Sequence, residues 1–218
     1  MRSNLLSFFL ILLSSSSVFS QKGFEAGAFI LPQSPWILNK TDFNKGAELD
    51  YKFNTGFAYG GQISMGFTYQ FGLRIEAMVS RQGQRYTTAS NYVIPNFQTD
   101  VKLDYIQIPV LLRYTGSLAR VKTAFQMFGG PQFGMLRRAR VETSTFKTDA
   151  MSSYQSSDLS AVLGFGLTRE VLNNLFFQAS FRLAYSLKNI EVEKPNREPS
   201  QNAVAGIQLG VAYVFGKQ

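Results

Sequence analysis

The chain has 218 residues, a formal net charge of +8, and neither cysteine nor histidine. Without cysteine, an exported protein of this size has no disulfides to stabilise it. The lack of histidine removes the side chain that most often transfers protons near neutral pH, and the lack of both removes the usual zinc and copper ligands. We therefore expect no enzyme activity, no metal site and no cofactor.

The positive charge is distributed along the chain. Lysine and arginine are scattered through segments rich in Tyr, Asn, Ser and Thr, and are not gathered on one helix. This distribution argues against a nucleic-acid partner. Lipid phosphates are an equally good partner for scattered basic loops.

The first twenty residues have the pattern of an export signal. Arg2 supplies a positive start, residues 5–13 an apolar run, and Val18 and Ser20 the small residues of a cleavage site. We therefore predict a signal peptide at residues 1–20 and a single β-barrel domain at residues 21–218. No other apolar run approaches the roughly 18 residues of a membrane helix, so any membrane span must be built from strands.

Apolar and polar residues alternate with a period of two along eight stretches of the chain. In the clearest stretch, Phe57, Tyr59 and Ile63 point one way, while Gly60 and Gln62 point the other. The pattern predicts strands at residues 23–31, 56–68, 73–82, 101–114, 122–136, 157–168, 175–188 and 203–215.

The connections between these strands alternate in length. Those after the second, fourth and sixth strands are short, at residues 70–72, 115–120 and 169–174, whereas the others are long. Outer-membrane barrels combine an even strand count with short periplasmic turns and longer extracellular loops. We predict an all-β fold, an eight-stranded antiparallel up-and-down transmembrane β-barrel in the outer membrane.

A soluble, lipocalin-like calyx that binds a small apolar ligand is the competing architecture, with its apolar face inside. The composition of the polar face argues against it. A solvated surface usually carries a quarter or more charged residues, whereas this face is dominated by small residues such as Gly60, Ser64 and Gly164. Small residues fit the inside of a narrow eight-stranded barrel.

The predicted inner face carries a few charges. Glu25, Arg74, Glu76 and Arg113 fall in its periplasmic half, and Arg182 lies on the same face. The register of neighbouring strands places Arg74 and Glu76 beside Arg113, which predicts a buried ion-pair cluster. We favour a structural role in filling the interior, with a proton path or a gate as the functional alternative.

Five arginines lie at or beyond the predicted extracellular strand ends: Arg81, Arg85, Arg137, Arg138 and Arg140. Because guanidinium groups match phosphate geometry well, we expect these arginines to contact lipopolysaccharide at the outer rim. The alternative is that they are solvated loop charges.

Two prolines, Pro109 and Pro131, fall inside predicted strands. Each removes a backbone hydrogen bond from the sheet, and bulges are the ordinary way to accommodate such a loss. We therefore expect a local irregularity of the sheet beside these prolines.

Residues 103–114, LDYIQIPVLLRY, resemble a segment of the PorT-like family of outer-membrane β-barrel proteins. Residues 130–134, GPQFG, and Arg182 with residues 185–190 resemble two weaker motifs of that family. The resemblance implies an outer-membrane barrel without known catalysis, an envelope component that supports type IX protein secretion with other envelope or secretion proteins as partners. A surface adhesion or interaction barrel that binds through residues 32–55 and 137–156 is the alternative.

Overall fold

The computed structural model describes residues 23–39, 49–52, 54–68, 70–88, 98–117, 122–143, 145–192 and 198–215. The predicted signal peptide lies outside these residues. The strands are β1 (Phe24–Asn39), β2 (Leu49–Lys52), β3 (Gly56–Gly66), β4 (Phe71–Thr88), β5 (Gln98–Ser117), β6 (Thr123–Thr143), β7 (Lys147–Asp149), β8 (Ser157–Leu172), β9 (Leu175–Ser186) and β10 (Ser200–Phe215). One short 3₁₀ turn, Met151–Ser153, follows β7.

Eight long strands close into a ring. Each of β1, β3, β4, β5, β6, β8 and β9 pairs antiparallel with the next of the set, and β10 pairs with β1. Closure lets the strands satisfy one another's backbone hydrogen bonds, as a bilayer requires. Closely spaced strand ends all fall at one end of the barrel, which confirms the predicted barrel and its loop asymmetry: Gly66 with Phe71, Ser117 with Thr123, and Leu172 with Leu175. Within the described ranges, no helix is long and apolar enough to cross a membrane.

The strands run farther toward the long-loop end than the sequence predicted. The strand predicted at residues 73–82 continues to Thr88, and the one predicted at residues 122–136 continues to Thr143. The outward positions become charged there, so the apolar alternation fades although the backbone pairing continues. Two accessory strands extend this end, with β2 paired to β4 and β7 paired to β6.

The pairing of β5 is interrupted beside both prolines, between Gln107 and Val110 on the β4 side and between Pro109 and Leu112 on the β6 side, so the expected irregularity is a gap in the pairing without a bulge. Pro109 faces Gln132 and Leu112 faces Gly129, so the register of β5 against β6 is the same on both sides of the prolines. The register shifts instead between Asp104 and Tyr105, where Arg137 of β6 is the extra residue. This bulge reorients the side chains at the long-loop end of β6, as discussed below.

The burial of the side chains shows that the apolar face of the sheet points outward. Large apolar side chains point outward and are exposed, such as Leu163 at 67% and Phe165 at 58%. Polar side chains point inward and are buried, such as Gln107 at 1% and Ser80 at 0%. A calyx would need the reverse arrangement, so the lipocalin-like alternative is wrong.

The outer apolar surface has the dimensions of a membrane band. The outward positions of β4 are apolar from Phe71 to Val79, and those of β5 are apolar from Tyr114 back to Ile106. Each run covers nine residues, and a tilted strand needs about 9–11 to cross a bilayer. Aromatic rings form a belt at the short-turn end, where the Tyr114 ring lies 5.2 Å from that of Phe71.

The interior is packed with both apolar and polar side chains. Apolar groups form three clusters: Phe29, Leu31, Ala58 and Met78; Leu111, Phe128 and Val162; and a larger cluster at the long-loop end that includes Ile37, Leu103, Tyr105 and Ile190. One cavity beside Gln107 and Arg182 has a volume of about 10 Å³. That is about the minimum needed to hold a single water molecule.

Candidate functional sites in the lumen and on the outer face

Among the described residues, two ion pairs cross the lumen. Arg113 Nη1 on β5 donates to Glu25 Oε2 on β1. Farther from the short turns, Arg182 Nη1 on β9 donates to Glu76 Oε2 on β4 at 2.5 Å. Neither pair joins neighbouring strands, so each links separate parts of the barrel wall.

Glutamines complete the hydrogen bonding of Arg182. Its Nη2 donates to Gln132 Oε1 at 2.9 Å, and its Nη1 also donates to Gln208 Oε1 at 3.1 Å. Its cross-strand neighbours are Gly164 and Gly206, so no adjacent side chain fills the space beside it. The guanidinium can therefore extend across the lumen to Glu76.

Arg74 is held less completely. Its Nη2 donates to Gln126 Oε1 at 2.9 Å, and its guanidinium carbon lies 5.1 Å from the centre of the Phe128 ring. The nearest carboxylate oxygen, Glu76 Oε1, is 3.9 Å from its Nη1. Its Nε has no hydrogen-bond partner in the part of the chain that the structure describes.

All five predicted lumen residues lie on the inner wall, but their partners differ from those the strand register suggested. Arg74 faces Leu111 and Arg113 faces Gly72, so these arginines do not share a cross-strand pair. The carboxylate partner of Arg113 comes from β1. The sequence analysis missed Gln132 and Phe128 as partners, although the period-two alternation of β6 from Gln126 onward places both inside.

A third lumen carboxylate, Asp158, lies nearer the long loops. Its Oδ2 accepts hydrogen bonds from the hydroxyls of Ser160 and Ser186, each at 2.8 Å. Among the described residues, no three His, Cys, Asp or Glu side chains converge in a way that could hold a metal ion.

The outer surface changes from apolar to charged between two successive rows of paired residues on β4, β5 and β6. Val79 faces Ile106, and Ile106 faces Met135. One step outward along the same three strands, Arg81 faces Asp104 and Asp104 faces Arg138. The apolar band therefore ends at the same level on β4, β5 and β6.

The bulge concentrates arginines above this row. In a regular strand, Arg137 and Arg138 would point to opposite faces. The extra residue lets Arg137, Arg138 and Arg140 all point outward, while Leu136 and Ala139 are buried. The sequence analysis missed Lys102, which lies on the same surface. We call this surface the arginine face; it consists of Arg81, Arg85, Lys102, Arg137, Arg138 and Arg140.

Carboxylates balance only part of the arginine face. Its ion pairs are Arg81–Asp104 at 3.2 Å, Arg85–Asp100 at 2.8 Å, Lys102–Glu142 at 2.5 Å, and Arg140 with Asp104 and Glu142 at 4.0 and 3.9 Å. Six cations thus share three carboxylates on the outer side of β4, β5 and β6. Within the described chain, Arg137 and Arg138 form no ion pair and are exposed.

Above the apolar band, one pair on this face has shifted pKa values. Arg85 Nε and Nη2 donate to the two oxygens of Asp100 at 2.8 and 3.0 Å. These hydrogen bonds lower the pKa of Asp100 and raise the pKa of Arg85. Both groups are therefore charged at neutral pH.

Comparison with known proteins agrees with this architecture. Residues 19–191 match the family model of the outer membrane protein beta-barrel domain. Neisserial surface protein A is 14% identical, with a TM-score of 0.51 over 87% of this chain and 96% of that protein. OprG from Pseudomonas aeruginosa is 11% identical, with a TM-score of 0.53 over 89% of this chain and 96% of that protein. At these identities, the two structures show the fold alone.

No curated protein matches the sequence. The family model covers most of the chain. A transmembrane barrel also explains the period-two alternation of the sequence, the closed ring of strands and the exposed apolar band. The chain belongs to the outer membrane protein beta-barrel domain family and is located in the outer membrane.

Proposed function

We propose that the protein is a non-enzymatic, non-conducting component of the outer-membrane envelope, of the PorT-like type, that binds lipopolysaccharide phosphates through its arginine face. The supporting observation is the shared row at which the apolar band ends and the arginine face begins. Lipid phosphates lie at that boundary in a bilayer. An excess of guanidinium groups at the same level is complementary to them in both charge and geometry.

Arg137 and Arg138 are central to this proposal. Their guanidinium groups are exposed and carry no ion pair within the described residues, so contact with phosphate would not require breaking a protein salt bridge. Arg81, Arg85 and Arg140 would add to the local positive potential while they also bind carboxylates. Each basic side chain near an anionic membrane surface contributes about 1 kcal/mol.

Lipopolysaccharide binding by the purified protein tests the proposal. Replacing Arg137 and Arg138 with glutamine should weaken binding about 30-fold, the equivalent of about 2 kcal/mol. Arg169→Gln is the matched control, because Arg169 is also exposed on the outer wall but lies at the short-turn end. Equal affinities for the double variant and the wild type would refute the proposed binding face.

The packed interior supports a non-conducting barrel. Farther from the short turns, Arg182 with its glutamine partners and the apolar clusters pack across the lumen, and the cavity beside Arg182 is of about 10 Å³. In planar bilayers, the protein should leave the conductance at the protein-free baseline. A conductance well above that baseline would favour the alternative role of the lumen charges as an ion or proton path.

The PorT-like resemblance supports a second candidate function, an accessory role in type IX secretion. The segment that carries it, residues 103–114, lies within β5, where Tyr105 and Leu111 pack inside and Ile108 and Leu112 face outward. Deletion of the gene followed by comparison of secreted proteins tests this role, and an unchanged set of secreted proteins would exclude it. Loss of cell attachment after replacement of residues 145–150 would favour the adhesion alternative.

A further inference from the structure

The lumen near the short turns carries more positive than negative charge. Three arginines, Arg74, Arg113 and Arg182, share two glutamates, Glu25 and Glu76. The third lumen carboxylate, Asp158, faces Gly134, eight residues along β6 from Gln126, and is bound by serine hydroxyls. Among the described residues, one positive charge therefore has no carboxylate of its own.

That charge belongs to Arg74. Glu76 contacts Arg182 at 2.5 Å, whereas its separation from Arg74 is 3.9 Å, too long for a hydrogen bond. The Arg74 side chain is 1% exposed, and its hydrogen-bond acceptor, Gln126, is neutral. A buried charge without a counter-charge is costly, so a nearby anion would stabilise the protein.

An open cavity lies beside this excess charge. Its volume is about 260 Å³, and it opens at the short-turn end of the barrel, which faces the periplasm. Polar side chains line it, among them Glu25, Arg113, Gln126 and Thr168. Gln126 both lines the cavity and binds Arg74, so it connects the opening with the unbalanced charge.

Two residues of the cavity wall carry donors that have no hydrogen-bond partner among the described residues, the hydroxyl of Thr168 and Nε of Arg113. Both atoms are buried, so the Thr168 side chain must rotate about χ1 before its hydroxyl can donate into the cavity. Gln126 directs its amide oxygen to Arg74, so its amide nitrogen is the group that can donate elsewhere. The carboxylate of Glu25 also lines the cavity, but Arg113 already neutralises it.

We propose that this periplasmic cavity binds a small oxyanion, the carboxylate or phosphate group of a molecule entering from the periplasm. Arg74 supplies the attraction, Gln126 donates from its amide nitrogen, and Thr168 donates once its side chain has rotated. The volume of about 260 Å³ has room for the anionic group and a short attached chain. Neither catalysis nor transport across the barrel is implied.

Residue-specific NMR of the isotope-labelled protein in a maltoside detergent, which carries no phosphate, tests the site. Sodium phosphate and sodium acetate are titrated separately against sodium chloride at matched ionic strength. The backbone amides of Gln126 and Thr168 should shift with one or both oxyanions and not with chloride. Arg74→Gln should weaken the response about tenfold, because it removes the unbalanced charge.

Two further variants keep the test decisive. Arg169→Gln removes an exposed positive charge at the same end of the barrel but outside the lumen, and should bind as the wild type does. Thr168→Val removes one donor with little change of volume and should weaken binding even if Arg74→Gln fails to fold. A response to phosphate alone would indicate a phosphorylated ligand. A response to acetate and to a peptide with a free C-terminal carboxylate, without a response to the same peptide as its C-terminal amide, would indicate that the ligand is the C-terminus of a polypeptide chain. Equal shifts with chloride, or an undiminished response in both Arg74→Gln and Thr168→Val, would overturn the proposal.

Discussion

Glu76 is the residue whose loss should destabilise the barrel most among the lumen charges. Its side chain is 0% exposed and accepts hydrogen bonds from Arg182 at 2.5 Å and from Gln208 at 3.3 Å, with Arg74 at 3.9 Å. In Glu76→Gln, two buried guanidinium groups lose their shared carboxylate. Removing one partner of a buried ion pair costs about 3–5 kcal/mol, so we expect a loss of free energy of unfolding in that range.

Urea unfolding in lipid vesicles, followed by the fluorescence of Trp36, the single tryptophan, measures this loss. Glu142→Gln serves as the matched control, because its partner Lys102 is 39% exposed on the outer surface and solvent screens that pair. The control should unfold near the wild-type midpoint. A loss below about 1 kcal/mol for Glu76→Gln would refute the reasoning, since it would show that the two arginines do not depend on this carboxylate.

Three further predictions concern the arginine face and its strands. Because Arg85 lowers the pKa of Asp100, this pair stabilises the fold above the ordinary aspartate pKa of about 4 and ceases to do so as the pH falls through the lowered value. The stability difference between wild type and Asp100→Asn should thus be constant above about pH 5 and vanish in stronger acid; a difference that persists there would contradict this. Gly83→Ala should cost about 1–3 kcal/mol in urea unfolding, because the new Cβ would lie 1.9 Å from Val101 O at a φ of +139°; an unchanged midpoint would argue against the strain. Deletion of Arg137, the extra residue of the bulge, should restore a regular β6 and reduce lipopolysaccharide affinity as much as Arg137→Gln does. Wild-type affinity in the deletion variant would show that the arginine that the bulge adds to the outer surface does not bind lipopolysaccharide.

The period-two pattern was sufficient to predict the barrel strands and which of their side chains point outward, because lipid permits only apolar outward side chains between the two membrane interfaces. Strands such as β8 carry that signal along the whole membrane span. The pattern failed above the membrane, where the outward positions of β4 become Arg81 and Arg85. Backbone pairing continues there to Thr88, but water accepts either kind of side chain and the apolar alternation is lost.

The charged lumen residues were identifiable from the sequence, whereas their partners were not. Neighbouring-strand register places Gly72 opposite Arg113, but the partner Glu25 lies three strands away around the ring. Such contacts depend on closure and on the diameter of the barrel, which no local pattern encodes. The bulge at Arg137 was likewise hidden, because an extra residue is visible only against the strand that it pairs with.

Site-directed spin labelling along β8 in lipid vesicles tests the central claim, a closed barrel with an apolar outside and a packed polar inside. The chain has no native cysteine, so each introduced cysteine carries the only label. Labels at Ala161, Leu163 and Phe165 should collide often with oxygen dissolved in the lipid and rarely with a water-soluble nickel complex. Labels at Ser160 and Val162, which are buried inside the barrel, should show low accessibility to both reagents. Oxygen accessibility at the second set, or nickel accessibility at Val162, would contradict the account.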